Sequence, residues 1–376
     1  MDKEKITLIV AGDVMLRGEE TVDIFEKVGD VLRSGDITFV NCEQTYSDKG
    51  QNRATGAPGS DPTKSIETLI NAGIDVFSLA NNHTLDMGTE ALLDTIERFK
   101  KTNVKIVGVG KNLEEARKPV IFERKGNKIG FLAYGCTGPD GYEAWEDKPG
   151  YAPVRAYTIY EKWDYQPATP PIVISVAYPD DLAAMQEDVR NLKSQVDVVA
   201  VSFHWGLHFQ PKKIPMYGFQ VGHAAVDAGA DLILGGHDHV LKGIEVYKGK
   251  VIFYALHNFA FGVGRNLLRQ EASRSRLTYG AKMFQEQYNF EPDPGTIWHP
   301  DAKRTMIGKV IIEGGEIKKV SYLPCYIDYD KGARPEIITR SDPRGEEVFN
   351  YMEEITRSQK LTTNFTWEGD EITISE

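Results

Sequence analysis

Apolar runs in this chain repeatedly break off at polar, chemically capable residues. Leu8-Ile-Val-Ala-Gly-Asp13 ends in a carboxylate, and Ile37-Thr-Phe-Val-Asn-Cys-Glu43 ends in an amide and a carboxylate. Val76-Phe-Ser-Leu-Ala80 runs into Asn81, Asn82 and His83, with Asp86 close behind. Val198-Val-Ala-Val-Ser-Phe-His204 ends in an imidazole, and Leu232-Ile-Leu-Gly-Gly-His-Asp-His239 ends in two. Short, continuous apolar runs of this kind read as buried strands.

Between the runs the periodicity turns helical. A helix is predicted within 19–33, and another after Asp61-Pro62, where an N-cap precedes proline at the first helical position, ending at Gly73. Residues 89–101 place Ala91, Leu92, Ile96 and Phe99 on one stripe. Further helices are predicted over 182–192, over 218–228 up to Gly229, and over 343–358. Additional strands are expected at 105–107 and 128–134, with hairpins around Lys248-Gly249 and Gly314-Gly315. Residues 135–171 and 259–304 read as irregular excursions, and the residues after 358 as a polar tail.

Helices alternate with strands up to about residue 240, and hairpins dominate afterwards. That mixture predicts an α/β fold with a sheet-on-sheet core flanked by helices. The expected organisation is one domain over 1–330, with a C-terminal helix and tail at 331–376 packed on it. Chemistry belongs at the carboxyl ends of such strands, so the five polar run-ends are expected to share one pocket.

Composition narrows the function. The 376 residues carry 44 Lys and Arg against 55 Asp and Glu, a net charge of −11, which argues against nucleic acid bound through bulk charge. Three scattered cysteines (Cys42, Cys136, Cys325) make neither a disulfide framework nor a thiolate zinc site. Met1 to Lys5 leads straight into a strand and no apolar run reaches the length of a membrane span, so the expectation is a cytoplasmic chain without membrane insertion. Nothing in the residues sets an oligomeric state.

Asp13, Glu43, Asn82, His204, His237 and His239 together offer two carboxylates, a carboxamide and three imidazoles. A mixed oxygen and nitrogen set suits zinc, manganese or iron rather than calcium. Six ligands exceed one tetrahedral ion, so one or two divalent ions are expected, a pair lying about 3.5–4 Å apart with a bridging carboxylate. Hydrolysis of an anionic ester or amide follows from that chemistry.

Gly12-Asp-Val-Met15, Asn41-Cys-Glu43, Leu79-Ala-Asn-Asn-His-Thr-Leu-Asp-Met-Gly88, His204-Trp-Gly206 and Gly235-Gly-His-Asp-His-Val240 resemble motifs of the bacterial poly-γ-glutamate capsule-biosynthesis (CapA-type) family, related to calcineurin-like metallophosphoesterases. The resemblance spans about residues 6–262 and implies a four-layer α/β/β/α sandwich. It also implies that Asp13, Glu43 and His239 hold one metal, and that Glu43, Asn82, His204 and His237 hold the other. His83 would serve as general acid or transition-state stabiliser, oriented by Asp86. The expected substrate is an anionic small molecule or polymer, a phosphoester or a γ-glutamyl-type amide. A non-catalytic accessory protein of polymer synthesis is the alternative.

This chain departs from the family pattern in three places. Met15 stands where phosphoesterases usually place a histidine, and a thioether is a poor ligand for a hard divalent ion. His208 stands where a glutamate is common, and His257 where a glycine is usual. Both imidazoles are read as auxiliary site residues, with packing as the alternative. Arg265, with Arg269, Arg274 and Arg276, and Arg53 in an earlier loop are read either as an anion-receiving rim or as solvated loop.

Overall fold

The structure is a computed structural model that describes residues 3–16, 23–52, 61–262, 290–291, 298–329 and 333–376. The first half of the chain runs β1 (Ile6–Met15), α1 (Gly29–Arg33), β2 (Ile37–Cys42), α2 (Pro62–Asn71), β3 (Val76–Ser78), α3 (Gly88–Phe99), β4 (Lys105–Val107), β5 (Val109–Gly110), α4 (Leu113–Ala116), β6 (Val120–Arg124) and β7 (Asn127–Gly135). Then come β8 (Gly150–Tyr151), β9 (Ala156–Glu161), β10 (Ile172–Ala177), α5 (Pro179–Lys193), β11 (Val198–His204), α6 (Met216–Ala228) and β12 (Leu232–Gly236). The chain continues with β13 (Ile244–Tyr247), β14 (Lys250–Phe253), β15 (Asn258–Phe261), β16 (Arg304–Glu313), β17 (Glu316–Asp328), β18 (Arg334–Ile337), α7 (Pro343–Ser358), β19 (Asn364–Glu368) and β20 (Glu371–Ser375).

Two sheets dominate. The larger has the order β19-β20-β17-β16-β1-β2-β3-β4, with β15 beside β1 and β18 beside β17. The smaller has the order β13-β14-β12-β11-β7-β6. In both, the central strands β1–β2–β3 and β7–β11–β12 are parallel, so their carboxyl ends point the same way within each sheet.

The period of two along β11 shows how the layers stack. Val198 and Ala200 join the apolar cluster shared with the larger sheet, whereas Val199, Val201 and Phe203 join the cluster that includes Met185 and Val189 of α5 and Val221 and Ala225 of α6. Between the sheets, Phe39 of β2 stacks on Phe131 of β7 with ring centroids 5.9 Å apart. Outside the larger sheet, Phe99 of α3 packs edge-on to Phe77 of β3 at 4.8 Å. The result is the α/β/β/α sandwich that the sequence predicts. α7 closes one end of it, contacting β17 of one sheet and β13 of the other.

Local sequence signals account for several boundaries. The Asp61 side chain accepts hydrogen bonds from Thr63 N and Lys64 N, and Pro62 opens α2. Gly229 ends α6 with φ 117°, in the left-handed region that glycine favours. Four expectations differ from what is observed. The excursion over 135–171 holds β8 and β9, and β9 pairs antiparallel with β10. The predicted helix within 19–33 shrinks to Gly29–Arg33, preceded by turns from 23 onward, and 17–22 lie outside the described residues. The excursion over 259–304 begins with β15, which pairs in parallel with β1. The residues after 358 include the hairpin β19–β20, joined to the larger sheet through β17. No helix among the described residues is long and apolar enough to cross a membrane.

Candidate metal centre

Each sheet delivers polar groups to the same place. Asp13 lies near the end of β1, Glu43 directly follows β2 and Asn82 follows β3; His204 is the last residue of β11, and His237 and His239 follow β12. Asp13, Glu43 and His204 are buried and each offers a ligand atom, all within 4.8 Å of one another. The Glu43 oxygens lie 3.6 Å from His204 Nε2 and 3.6 Å from His83 Nε2. His204 Nε2 is 2.7 Å from Asn82 Oδ1 and 3.1 Å from His237 Nδ1. Residues separated by up to 224 positions, Asp13 and His237, share a direct bond, His237 N donating to Asp13 Oδ2 at 3.0 Å.

Surrounding groups hold these side chains. Asn41 Nδ2 donates to Asp13 Oδ1 at 2.8 Å and lies 3.3 Å from His204 Nδ1, so it spans both sheets. Asn81 Nδ2 donates to Cys42 O, and Asn81 Oδ1 accepts from His83 N. His239 Nδ1 lies 2.7 Å from Asn258 Oδ1; that amide oxygen can only accept, which puts the proton on Nδ1 and leaves Nε2 with its lone pair. Gly236 has to be glycine, because a Cβ there would lie 2.5 Å from Asp13 Oδ1.

The electrostatics follow from burial. Desolvation raises the Asp13 pKa to about 6, against the opposing pull of hydrogen bonds from His237 N, Asn41 and Glu43. Burial also holds His204, His237 and His239 well below the ordinary imidazole range, reinforced by neighbouring imidazoles. Neutral imidazoles are the form that binds metal. Two carboxyl groups and neutral nitrogens gathered out of water are a donor set suited to a divalent cation.

Beside this group His83 is half-buried, with Nδ1 2.6 Å from Asp86 Oδ2. Tyr142 Oη in turn donates to Asp86 Oδ1 at 3.2 Å. The imidazole is thus fixed at Nδ1, with Nε2 turned to Glu43.

The auxiliary residues separate. His208 lies against the group, its ring 4.0 Å from that of His237 and 5.1 Å from that of His239. His257 is fully buried and donates from Nε2 to Ala302 O at 2.9 Å, while its backbone carbonyl accepts from Asp13 N at 2.7 Å. It therefore acts on the site through the backbone of β1. Met15 packs in an apolar cluster with Phe209, Phe261 and Trp298. Arg53 and Arg265 lie outside the described residues, as do Arg269, Arg274 and Arg276.

Sequence reasoning placed Asn41 and Asn81 at polar run-ends without giving either a role, and it did not single out Tyr142 or Asn258 as site partners. Asn41 carried a usable signal: it stands two residues before Glu43 on one strand, and so shares its face. Tyr142 carried none, since it arrives on an irregular segment.

Fold and geometry together define a two-sheet α/β/β/α protein with a metal-type donor group at the carboxyl ends of its strands. The chain belongs to the bacterial capsule synthesis protein PGA_cap family, whose sequence model matches residues 7–263. It is 31% identical over 252 residues to the PGA biosynthesis protein CapA of Bacillus subtilis, covering 66% of this chain and 59% of that protein. It is 29% identical over 279 residues to the capsule biosynthesis protein CapA of Bacillus anthracis, covering 70% and 61%. The matches thus span about three fifths of the length of these relatives. A solved structure of a phosphatase from Mycoplasma pneumoniae aligns over 93% of this chain and 99% of its own, at 15% identity and a TM-score of 0.47.

Proposed function

We propose that this protein is a metal-dependent hydrolase that acts on an anionic phosphoester or γ-glutamyl-type amide in the making of a poly-γ-glutamate capsule. The observation that carries this reading is the convergence of Asp13, Glu43 and His204 from three strands of two sheets onto one buried point. Asn82 and His237 stand within hydrogen-bond reach of His204 and extend the donor set. His239 keeps a bare Nε2 once Asn258 has taken its Nδ1 proton. Zinc, manganese or iron, as one ion or two, fits these oxygen and nitrogen donors. When bound, such a cation supplies Lewis acidity toward the substrate and makes water a better nucleophile at neutral pH.

The chain's own residues supply the rest. Asp86 and Tyr142 hold the His83 ring through Nδ1, so that the doubly protonated ring presents its Nε2 proton toward the Glu43 side. A proton given up there to a departing alkoxide or amine is general-acid catalysis. Burial of the group keeps bulk water from competing for the same donors.

A non-catalytic accessory role is the second reading, and Met15 favours it. Its thioether sits in an apolar cluster at the position where a further ligand would otherwise stand. Metal analysis of the purified protein, combined with a screen of phosphomonoester, phosphodiester and γ-glutamyl substrates, separates the two. Bound metal with turnover lost in Asp13→Ala supports the hydrolase. Bound metal without turnover on any class supports the accessory protein, and absence of metal binding overturns the hydrolase.

A further inference from the structure

The turn His237-Asp238-His239 is held in a conformation its sequence does not favour. His237 has φ 97° and His239 has φ 53°, both in the left-handed region where a Cβ is a liability. Strain of this kind persists only when surrounding structure over-determines it. The surroundings here centre on two charged side chains that are not among the proposed ligands. Asp238 is 1% exposed and accepts from Leu207 N at 2.5 Å. Lys242, also 1% exposed, places Nζ 3.2 Å from Asp238 Oδ1. The same ammonium donates to the carbonyls of Leu207 at 3.2 Å, Lys213 at 2.9 Å and Gln210.

Every one of those carbonyls lies on residues 205–213, the loop that carries His208. Phe209 N donates to Asp238 O at 2.9 Å, so backbone joins the same two segments. Gly206 stands where any Cβ would collide with the Asp238 carboxylate, which lets the loop come this close. A lysine sealed in the interior is an expensive way to add stability, because apolar residues of similar volume do as well or better. What it supplies is directional: one ammonium gathers three carbonyls and a carboxylate at a single point.

We propose that Asp238 and Lys242 are positioning residues that latch the 205–213 loop to the His237–His239 turn and so hold His237, His239 and His208 in metal-binding geometry. The inference rests on the metal-centre reading above and adds to it the device that sets the geometry. Neither residue is among the proposed metal ligands.

The test is calorimetric titration of chelator-stripped protein with Zn(II) and with Mn(II), alongside urea unfolding of each metal-free variant. Lys242→Met should bind about tenfold or more weakly than wild type, the range seen when groups supporting metal ligands are removed. Asp238→Asn combined with Lys242→Met leaves no unpaired buried charge, so its stability should return toward wild type while its metal affinity stays at least about tenfold weaker. Lys242→Gln, which keeps N–H donors for the carbonyls, should fall between. If Lys242→Met does not fold, the double variant and Lys242→Gln decide. A folded variant of near-native stability that binds metal within twofold of wild type overturns the latch and leaves the metal centre intact. Wild type that binds neither ion overturns both.

Discussion

Burial holds His204, His237 and His239 neutral and pushes the pKa of His208 down to about 4 and that of His257 to about 3, from an ordinary value of 6.5. A lowered imidazole pKa means that the unfolded chain binds more protons below 6.5, so the stability tied to each ring is full above that pH and lost as pH falls. Asp13, raised to about 6, and Asp238, raised to about 7, have the opposite sign: between their unfolded and folded values, acid favours the native state. Each group is worth about 1.4 kcal/mol per pH unit, and five rings outweigh two carboxyls. Metal-free protein should therefore lose unfolding free energy between pH 7.5 and 5.5 in urea titrations. His257→Gln should remove about 1.4 kcal/mol of that loss, and stability that rises over this range would contradict the assignment. At the same scale, His83→Asn should cut turnover by roughly 10²–10⁴-fold, the usual worth of a positioned acid, while metal affinity stays unchanged in calorimetry. The primary groups were legible in the sequence because each one ends an apolar run. Their partners were not: Asn41 bonding Asp13 or Asn258 bonding His239 depends on which strands become neighbours, and no local pattern records that.

At the scale of elements, period and turn chemistry carried most of the information. The hairpin around Gly314-Gly315 and the capped start of α2 follow directly from their residues. The hairpin β19–β20 falls in the expected polar tail, although Asn364-Phe-Thr-Trp-Glu368 and Glu371-Ile-Thr-Ile-Ser375 alternate around Gly369. Polar residues on the outer face hid that period, and only the edge of β17 makes the alternation worth folding. β15 escaped because four residues give no period to count, and its place beside β1 rests on close backbone approach. A Cβ on Gly12 would fall well inside contact distance of the His257 carbonyl oxygen, the same oxygen that accepts from Asp13 N. Gly12→Ala should force β1 and the 256–258 segment apart and cost about 3 kcal/mol or more. Gly88→Ala meets only its φ of +84° in open space and should cost about 1–2 kcal/mol. Denaturant midpoints of the two variants compare them directly, and equal losses would mean that the β1 contact is not tight.

For the molecule as a whole, the site is a seam. Asp13, Glu43 and Asn82 come from the larger sheet, whereas His204, His237 and His239 come from the smaller. Below the seam the sheets meet through apolar contacts such as Phe39 on Phe131; at the seam they meet through carboxylates, amides and neutral imidazoles. A cation that takes ligands from both sides cross-links the layers, and it binds the native state alone, because the unfolded chain separates the ligands by up to 226 positions, from Asp13 to His239. Mass action then ties stability to metal: at a free concentration 100 times Kd the gain is about 2.7 kcal/mol. For a chain of this length, with an unfolding entropy scaling with residue number, that corresponds to an increase in Tm of about 3 °C. Calorimetric scans of stripped protein titrated with Zn(II) or Mn(II) should show this rise continuing with the logarithm of metal concentration. Asp13→Ala on one sheet and His204→Ala on the other should each abolish it, since either removes one side of the bridge. A rise that survives either substitution would place the stabilising ion elsewhere and separate it from the seam.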